Sequence, residues 1–339
     1  MYFRRMNEAL LEKLRAQLAN PGKIGIVTHK SPDGDAMGSS LGLYHLLKQF
    51  GHKIEVFTPN RYPEFLAWMP ESERIVVFDE QNSAATALLN SCDTIFTLDF
   101  NAFHRAGDME HALKNKSAFY VMVDHHQMPD TYAQITFSDT AYASTCEMIY
   151  DLAVGLGCQD YLNKDVAACL YTGIVTDTGS FRFAATKPST HLAVAHLMQT
   201  GIDHAKIYSN IHDNFSADRL QLMGRSLQNL KVFPEKKTAY TKLSQAELDA
   251  FNYVKGDTEG LVNLALSIKG IVFAAIFIEH TDEKIIKISF RSQGDFDVNQ
   301  FAIAHFNGGG HINAAGGKSN VSLAETIQKF EELVLNLDI

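Results

Sequence analysis

Apolar residues recur along the chain in two alternating rhythms. Met6, Leu10, Leu14 and Leu18 fall at helical spacing and Asn20-Pro21-Gly22 closes the segment, so residues 5–19 are expected to form a helix. A short Ile/Val run at 23–28 reads as a buried strand, 38–50 as a helix stopped by Gly51, and 53–58 as a second strand. Strand-like runs recur at 74–78, 94–98 and 118–123, with helical or loop stretches between them. Strands alternating with helices predict an α/β fold, a mainly parallel sheet covered on both faces.

From residue 143 the rhythm turns helical, with helices expected at 165–175, 188–199 and 217–230. Strand-like alternation returns at 231–243, broken by Pro234 and a Lys236-Lys237 turn, and continues at 270–279 and 284–290. Helices at 298–306 and 323–335 complete a smaller α/β unit. This pattern divides the chain into a first domain over 1–200, a helical linker over 201–230 and a second domain over 231–339. It shows no internal repeat and no low-complexity segment.

Composition narrows the function classes. The 339 residues are 46% hydrophobic, enough for sizeable cores, and 39 acidic against 30 basic residues leave a net charge of −9. Such a chain does not coat long DNA through a broad basic face, although it can still hold a short phosphorylated ligand at one site. Cys92, Cys146, Cys158 and Cys169 form no C-x-x-C pair and sit among apolar or small neighbours. They read as buried hydrophobes in a reducing compartment. Glu8 and Glu12 interrupt the first apolar stretch, unlike a signal peptide, and the longest apolar run, 271–278, is too short to span a bilayer. A soluble cytoplasmic protein with no membrane partner is expected.

The candidate chemistry clusters after predicted strands, where open parallel sheets collect ligands. The strand at 23–28 runs into His29-Lys30-Ser31-Pro32-Asp33-Gly34-Asp35, one imidazole and two carboxylates on a tight turn. Asp124-His125-His126 closes the strand at 118–123, Asp99 closes the one at 94–98, and Asp177 stands in Ile174-Val175-Thr176-Asp177-Thr178-Gly179. Taken singly, each reads as well as a polar loop or a turn-forming Asp. Together His29, Asp33, Asp35, Asp99, His125 and Asp177 offer six ligands, a set that suits two divalent ions such as manganese better than a thiolate-preferring metal. In the second domain, Arg291-Ser292 ends a strand, and Asn307-Gly308-Gly309-Gly310-His311 precedes Ala314-Ala315-Gly316-Gly317. Glycine amides approach anions closely, and Arg291 and His311 add charged contacts, although glycine runs are also ordinary turns.

Smaller features read structurally. Ser144 and Glu147 are spaced as a capping box. His45 and His52 have no partner in spacing, and Phe181 reads as core. Arg105 is open between a surface role and a phosphate contact.

These motifs, in this order, resemble the DHH phosphoesterases, and the glycine-rich segment resembles the DHH-associated C-terminal domain. The resemblance covers nearly the whole chain and points to the bacterial branch of short-oligoribonucleotide nucleases that also dephosphorylate 3′-phosphoadenosine 5′-phosphate (pAp). It implies an active site in the cleft between the two domains, with two manganese ions. His29 and Asp33 would hold one ion, Asp35, His125 and Asp177 the other, and Asp99 both. Asp99 and His126 would be catalytic, with His126 facing the scissile phosphate and Asp124 orienting its neighbours. Arg105, Arg291, Ser292, Gly309, Gly310 and His311 would join His126 in holding substrate. Asn307 departs from the glycine that many relatives carry there. An exopolyphosphatase or inorganic pyrophosphatase with the same metal site is the rival reading, and a non-catalytic nucleotide sensor a rival from another class. The resemblance leaves room for a homodimer. Two divalent ions would cancel the four ligand carboxylates and leave the rest of the protein acidic, a balance that favours short substrates over long polyanions.

Overall fold

A computed structural model describes residues 6–213 and 215–337. The chain divides into two compact units, residues 1–214 and 215–339.

The first unit opens with α1 (Glu8–Leu18), β1 (Lys23–Val27), α2 (Gly34–Lys48) and β2 (Lys53–Thr58). It continues through β3 (Val76–Val77), α3 (Phe78–Ser91), β4 (Thr94–Leu98), α4 (Glu110–Lys114), β5 (Phe119–Asp124) and β6 (Ile135–Ser138). Four helices follow, α5 (Thr145–Gly155), α6 (Lys164–Asp177), α7 (Pro188–Gln199) and α8 (His204–His212). The six strands form one sheet in the order β3-β2-β1-β4-β5-β6, and every pairing is parallel. Side chains of a strand alternate between faces, and both faces here are apolar. Ile24 and Ile26, Phe96 and Leu98, and Val121 and Val123 pack on one side with α1, α2 and α5 to α8. Val27, Ile95 and Tyr120 pack on the other with α3 and α4. The expected doubly covered parallel sheet is present.

Strand order reverses between β1 and β4, so the loops leaving these two neighbours diverge and open a crevice at their C-terminal ends. Helices α2 and α6 close one wall of it at short range. A Cβ on Gly38 of α2 would stand 2.6 Å from the Cys169 carbonyl of α6, so only glycine permits this approach.

Several expectations shift in detail. Asp33 caps α2, its Oδ1 accepting from the amides of Asp35 and Ala36, so this helix starts at Gly34 rather than 38. The strand expected at 74–78 shrinks to Val76–Val77, because Ser72–Arg74 coils into a 3-10 turn and Phe78 begins α3. Strand β6 was not foreseen, and α8 was expected only as part of a helical linker. Arg5, expected in the first helix, lies outside the described residues. The helical linker expected over 201–230 is instead shared out. Ile207 and Ile211 of α8 belong to the first unit's core, and Leu222 of the next helix to the second's.

The second unit contains α9 (Ala217–Gln228), β7 (Lys231–Phe233), β8 (Thr238–Leu243), α10 (Gln245–Ala250) and α11 (Leu261–Leu266). Then come β9 (Phe273–His280), β10 (Ile285–Ser292), α12 (Val298–His305), β11 (Gly309–His311), β12 (Ala314–Ser319) and α13 (Leu323–Leu335). Its mixed sheet runs β11-β12-β10-β9-β8-β7, with β8 and β9 parallel and the other pairs antiparallel. Phe273, Phe277, Phe290, Phe301, Phe306 and Phe330 fill one face with α12 and α13, while α9 to α11 cover the other. No described helix is long and apolar enough to cross a membrane.

Candidate metal centre

The crevice at the ends of β1, β4 and β5 collects the first unit's candidate residues. His29 lies two residues past β1, Asp33 and Asp35 at the cap and first turn of α2, and Asp99 directly after β4. Asp124 ends β5, His125 and His126 follow it, and Asp177 is the last residue of α6. Asp99 sits at φ +64°, a left-handed conformation that aspartate tolerates better than most residues.

Their spacing is that of ligand atoms around shared cations. His29 Nε2 lies 3.4 Å from Asp99 Oδ2 and 3.9 Å from Asp33 Oδ1. His125 Nε2 lies 3.5 Å from Asp99 Oδ1, 3.5 Å from Asp177 Oδ2 and 3.9 Å from Asp35 Oδ2. These separations exceed an ordinary N–H···O hydrogen bond and leave room for an ion between the atoms. Three groups able to hold a metal emerge: His29, Asp33 and Asp99; Asp35, His125 and Asp177; and Asp99, His125 and His126. The two oxygens of Asp99 face different imidazoles, Oδ2 toward His29 and Oδ1 toward His125.

The backbone fixes which ring nitrogen each histidine presents. His29 Nδ1 stands 2.9 Å from the Lys30 carbonyl, and His125 Nδ1 3.4 Å from that of Tyr142. A carbonyl only accepts, so the close His29 contact places hydrogen on Nδ1 and leaves Nε2 as the electron donor, and the longer His125 contact favours the same arrangement. His126 differs, because its Nδ1 is held 2.7 Å from Asp124 Oδ1, a fully buried carboxylate. The two orienting carbonyls were invisible to the sequence reading, since any residue supplies one.

The electrostatics show what the cluster lacks. Among the described residues, no Lys or Arg pairs with Asp33, Asp35, Asp99 or Asp177. Burial, then the charges of Asp99 and Asp177, push Asp35 well above the usual carboxylate range. Burial raises Asp177 to about 7 against the pull of His125. Burial would lower His29, but pairing with Asp99 and the charge of Asp33 outweigh it and raise it to about 9. His125 rises in the same way, and its pairing with His29 and His125 holds Asp99 low despite burial. A nitrogen–oxygen donor set with surplus negative charge and no thiolate fits hard or borderline divalent ions.

These shifts set a pH dependence for the cation-free protein. His29 rises from 6.5 to about 9 on folding, so its stabilisation is complete below about pH 6.5 and lost as pH climbs through 9. Asp177 acts with the same sign at lower pH, costing stability as pH climbs from 3.8 to about 7 and no more above that. The melting temperature of chelator-stripped protein is therefore expected to fall between about pH 6 and 9, and added MnCl2 to flatten that fall. A melting temperature that rises across this range would contradict the geometry.

The remaining candidates are placed less uniformly. Arg105 is half-buried, its carbonyl accepts from the Lys30 amide, and its guanidinium has no hydrogen-bond or ion-pair partner among the described residues. In the second unit the glycine-rich segment is an edge strand rather than a free loop, with Gly309 opposite Gly316 and His311 opposite Ala314. Two of its amides are already committed, Gly308 to the Ala302 carbonyl and Gly310 to Asn299 Oδ1. Asn307 adopts φ +47°, so the residue that departs from glycine accepts the left-handed geometry. Arg291 is the penultimate residue of β10, and burial pushes its guanidinium below its usual range against the charge of Glu259. Ser292 is a correction. Its hydroxyl donates to the Phe296 carbonyl and accepts from Asn313 Nδ2, so it holds a turn and is not presented to a ligand.

Comparison with known proteins agrees with this architecture. Residues 23–174 match the DHH family, N-terminal domain, and residues 236–336 match the DHHA1 domain. The bifunctional oligoribonuclease and PAP phosphatase NrnA of Thermus thermophilus is 31% identical over 298 residues, 87% of this chain and 83% of that one. The crystal structure of an exopolyphosphatase-related protein from Bacteroides fragilis superposes with a TM-score of 0.95 at 38% identity, covering 98% of each chain. RecJ from Thermus thermophilus in complex with Mn2+ shares the fold, with a TM-score of 0.55 at 14% identity over 98% of this chain and 55% of that one.

Proposed function

The chain belongs to the DHH family of metal-dependent phosphoesterases, and from that premise we propose that it hydrolyses very short oligoribonucleotides to mononucleotides and also dephosphorylates pAp. The observation that carries the proposal is the convergence of four carboxylates and two Nε2-presenting imidazoles at one topological switch point. His29, Asp33 and Asp99 would hold one divalent ion, and Asp35, His125, Asp177 and Asp99 a second, with manganese our candidate because carboxylates dominate the donor set. Such a pair, when bound, supplies Lewis acidity that activates water and neutralises phosphoryl oxygens.

The protein's own groups do the rest. Asp124 holds His126 by Nδ1 and so orients the ring, and His126 is our candidate to bond a phosphoryl oxygen as charge builds there. Arg105, whose guanidinium has no partner among the described residues, is our candidate for a positive charge toward a phosphate. In the second unit, Arg291, Gly309 and His311 are our candidates for the remainder of the nucleotide, the Gly310 amide being held by Asn299. The relative in Thermus thermophilus, named for oligoribonuclease and PAP phosphatase activity, supports this substrate class. The Bacteroides relative is named instead for exopolyphosphatases, and cleavage of phosphoanhydrides is the second reading.

One turnover assay with MnCl2 separates the two. A dinucleotide, a pentanucleotide and pAp are expected to be cleaved, and pyrophosphate and polyphosphate to stay intact. Fast polyphosphate cleavage with an inert dinucleotide would replace the proposal by the second reading. Dinucleotide that binds but releases no mononucleotide would replace it by a sensor.

A further inference from the structure

We infer that Thr145 is a positioning residue of the metal centre, locking the rotation of Asp99 and the orientation of Asp35 so that both face the cations. The inference rests on the two-cation reading above and deepens it. Thr145 is the first residue of α5 and fully buried. Its hydroxyl donates to Asp99 Oδ1 at 2.9 Å, its amide to Asp35 Oδ2 at 2.6 Å, and the Cys146 amide to Asp35 Oδ1 at 2.9 Å. One helix start therefore grips a carboxylate from each of two other elements.

The hydroxyl matters because of what else surrounds Asp99. The other side chains paired with that carboxylate are the imidazoles of His29, His125 and His126. His29 and His125 would turn to a cation once it binds. His126 Nδ1 is committed to Asp124 at 2.7 Å and stands 3.7 Å from Asp99, so among the described residues Thr145 is the side-chain hydroxyl that holds Asp99 at hydrogen-bond distance. It occupies one lone pair of Oδ1 and so settles which oxygen faces His29 and which faces His125. Without it the carboxylate can rotate away from the bridging orientation.

The helix start is itself anchored from behind, as expected of a part that has to hold position. Ser144 Oγ accepts from the Glu147 amide, the half of the expected capping box that forms. The buried Glu147 carboxylate does not return to the Ser144 amide. It accepts instead from the Ala143 amide and from the hydroxyls of Ser189 and Thr190 at the start of α7. The Ser-x-x-Glu spacing thus marks an anchor for the metal ligands as well as a helix cap.

The test is a metal-binding titration on chelator-stripped protein, with MnCl2 alone and no substrate. Thr145→Val, nearly isosteric, should weaken manganese binding by roughly 10–100-fold, while Thr145→Ser, which keeps the hydroxyl, should stay within about threefold of the parent. With dinucleotide, the manganese concentration for half-activation should rise in Thr145→Val while KM at saturating manganese stays put. Thr145→Ala reads the same loss without adding bulk, should the valine fail to fold. Manganese affinity in Thr145→Val or Thr145→Ala equal to the parent's, whatever happens to the melting temperature, would overturn the inference and make Thr145 a packing residue. A parent that binds no manganese would remove the two-cation reading itself, a separate and recognisable failure.

Discussion

Asp99→Asn is expected to reduce turnover of a dinucleotide by about 10³-fold or more at saturating manganese, beyond the roughly 10–100-fold typical of residues that only orient a ligand. Both oxygens of Asp99 face imidazoles that belong to different groups of candidate ligands, so one substitution weakens both. An amide keeps the shape and one acceptor, to which Thr145 can still donate, but it lacks the charge that two cations share. The stoichiometry of manganese binding should drop from two, while far-UV circular dichroism stays that of the parent. Turnover within tenfold of the parent would end the shared-ligand reading. Asp33→Asn makes a useful contrast. Asp33 is half-exposed and belongs to one group only, so its loss should be milder and confined to one cation.

The centre was legible in the sequence because its ligands hang on strong local signals. β1, β4 and β5 are short, mostly apolar and almost wholly buried, and a candidate ligand or its neighbour stands at or within two residues of each strand's end, His29, Asp99 and Asp124. The position of α2 was harder. Gly34 and Asp35 look like turn residues, although Pro32 and the capping Asp33 already announced the helix start. β3 is two residues long and β6 four, both at or beside a sheet edge, where too little burial is needed to impose a pattern. Helix α8 buries only Ile207 and Ile211, a stripe too thin to stand out from its polar neighbours.

What the sequence concealed is tertiary. Thr145 meets Asp99 across 46 positions and Asp35 across 110, and no spacing rule connects them. The Ser144–Glu147 signal lay beside it and was read as a local cap. The glycine-rich segment misled in the opposite direction. Its composition suggested free amides facing an anion, whereas β12 pairs with it and Asn299 takes the Gly310 amide.

His126→Ala is the second large loss expected, about 10²–10³-fold in kcat, on the scale of removing one preorganised donor from a charge-developing site. Its signature differs from that of Asp99→Asn. His126 Nδ1 is held by Asp124 at 2.7 Å and lies 3.7 Å from Asp99 Oδ1, so the ring nitrogen opposite the orienting carboxylate is Nε2. If Nε2 serves the phosphate, manganese should bind His126→Ala with the parent's affinity and stoichiometry while kcat collapses. If His126 serves instead as a third ligand beside Asp99 and His125, affinity will fall together with kcat. Asp124→Asn refines the result, because Asp124 is fully buried and Oδ1 holds the ring while Oδ2 has no hydrogen-bond partner among the described residues. An amide at 124 that turns its NH2 toward His126 would expel the Nδ1 hydrogen and send it to Nε2, and one that keeps its carbonyl there would preserve the ring's state. A kcat loss in Asp124→Asn of roughly 10–100-fold, smaller than that of His126→Ala and with metal binding intact, is the outcome that assigns Asp124 to orienting the ring.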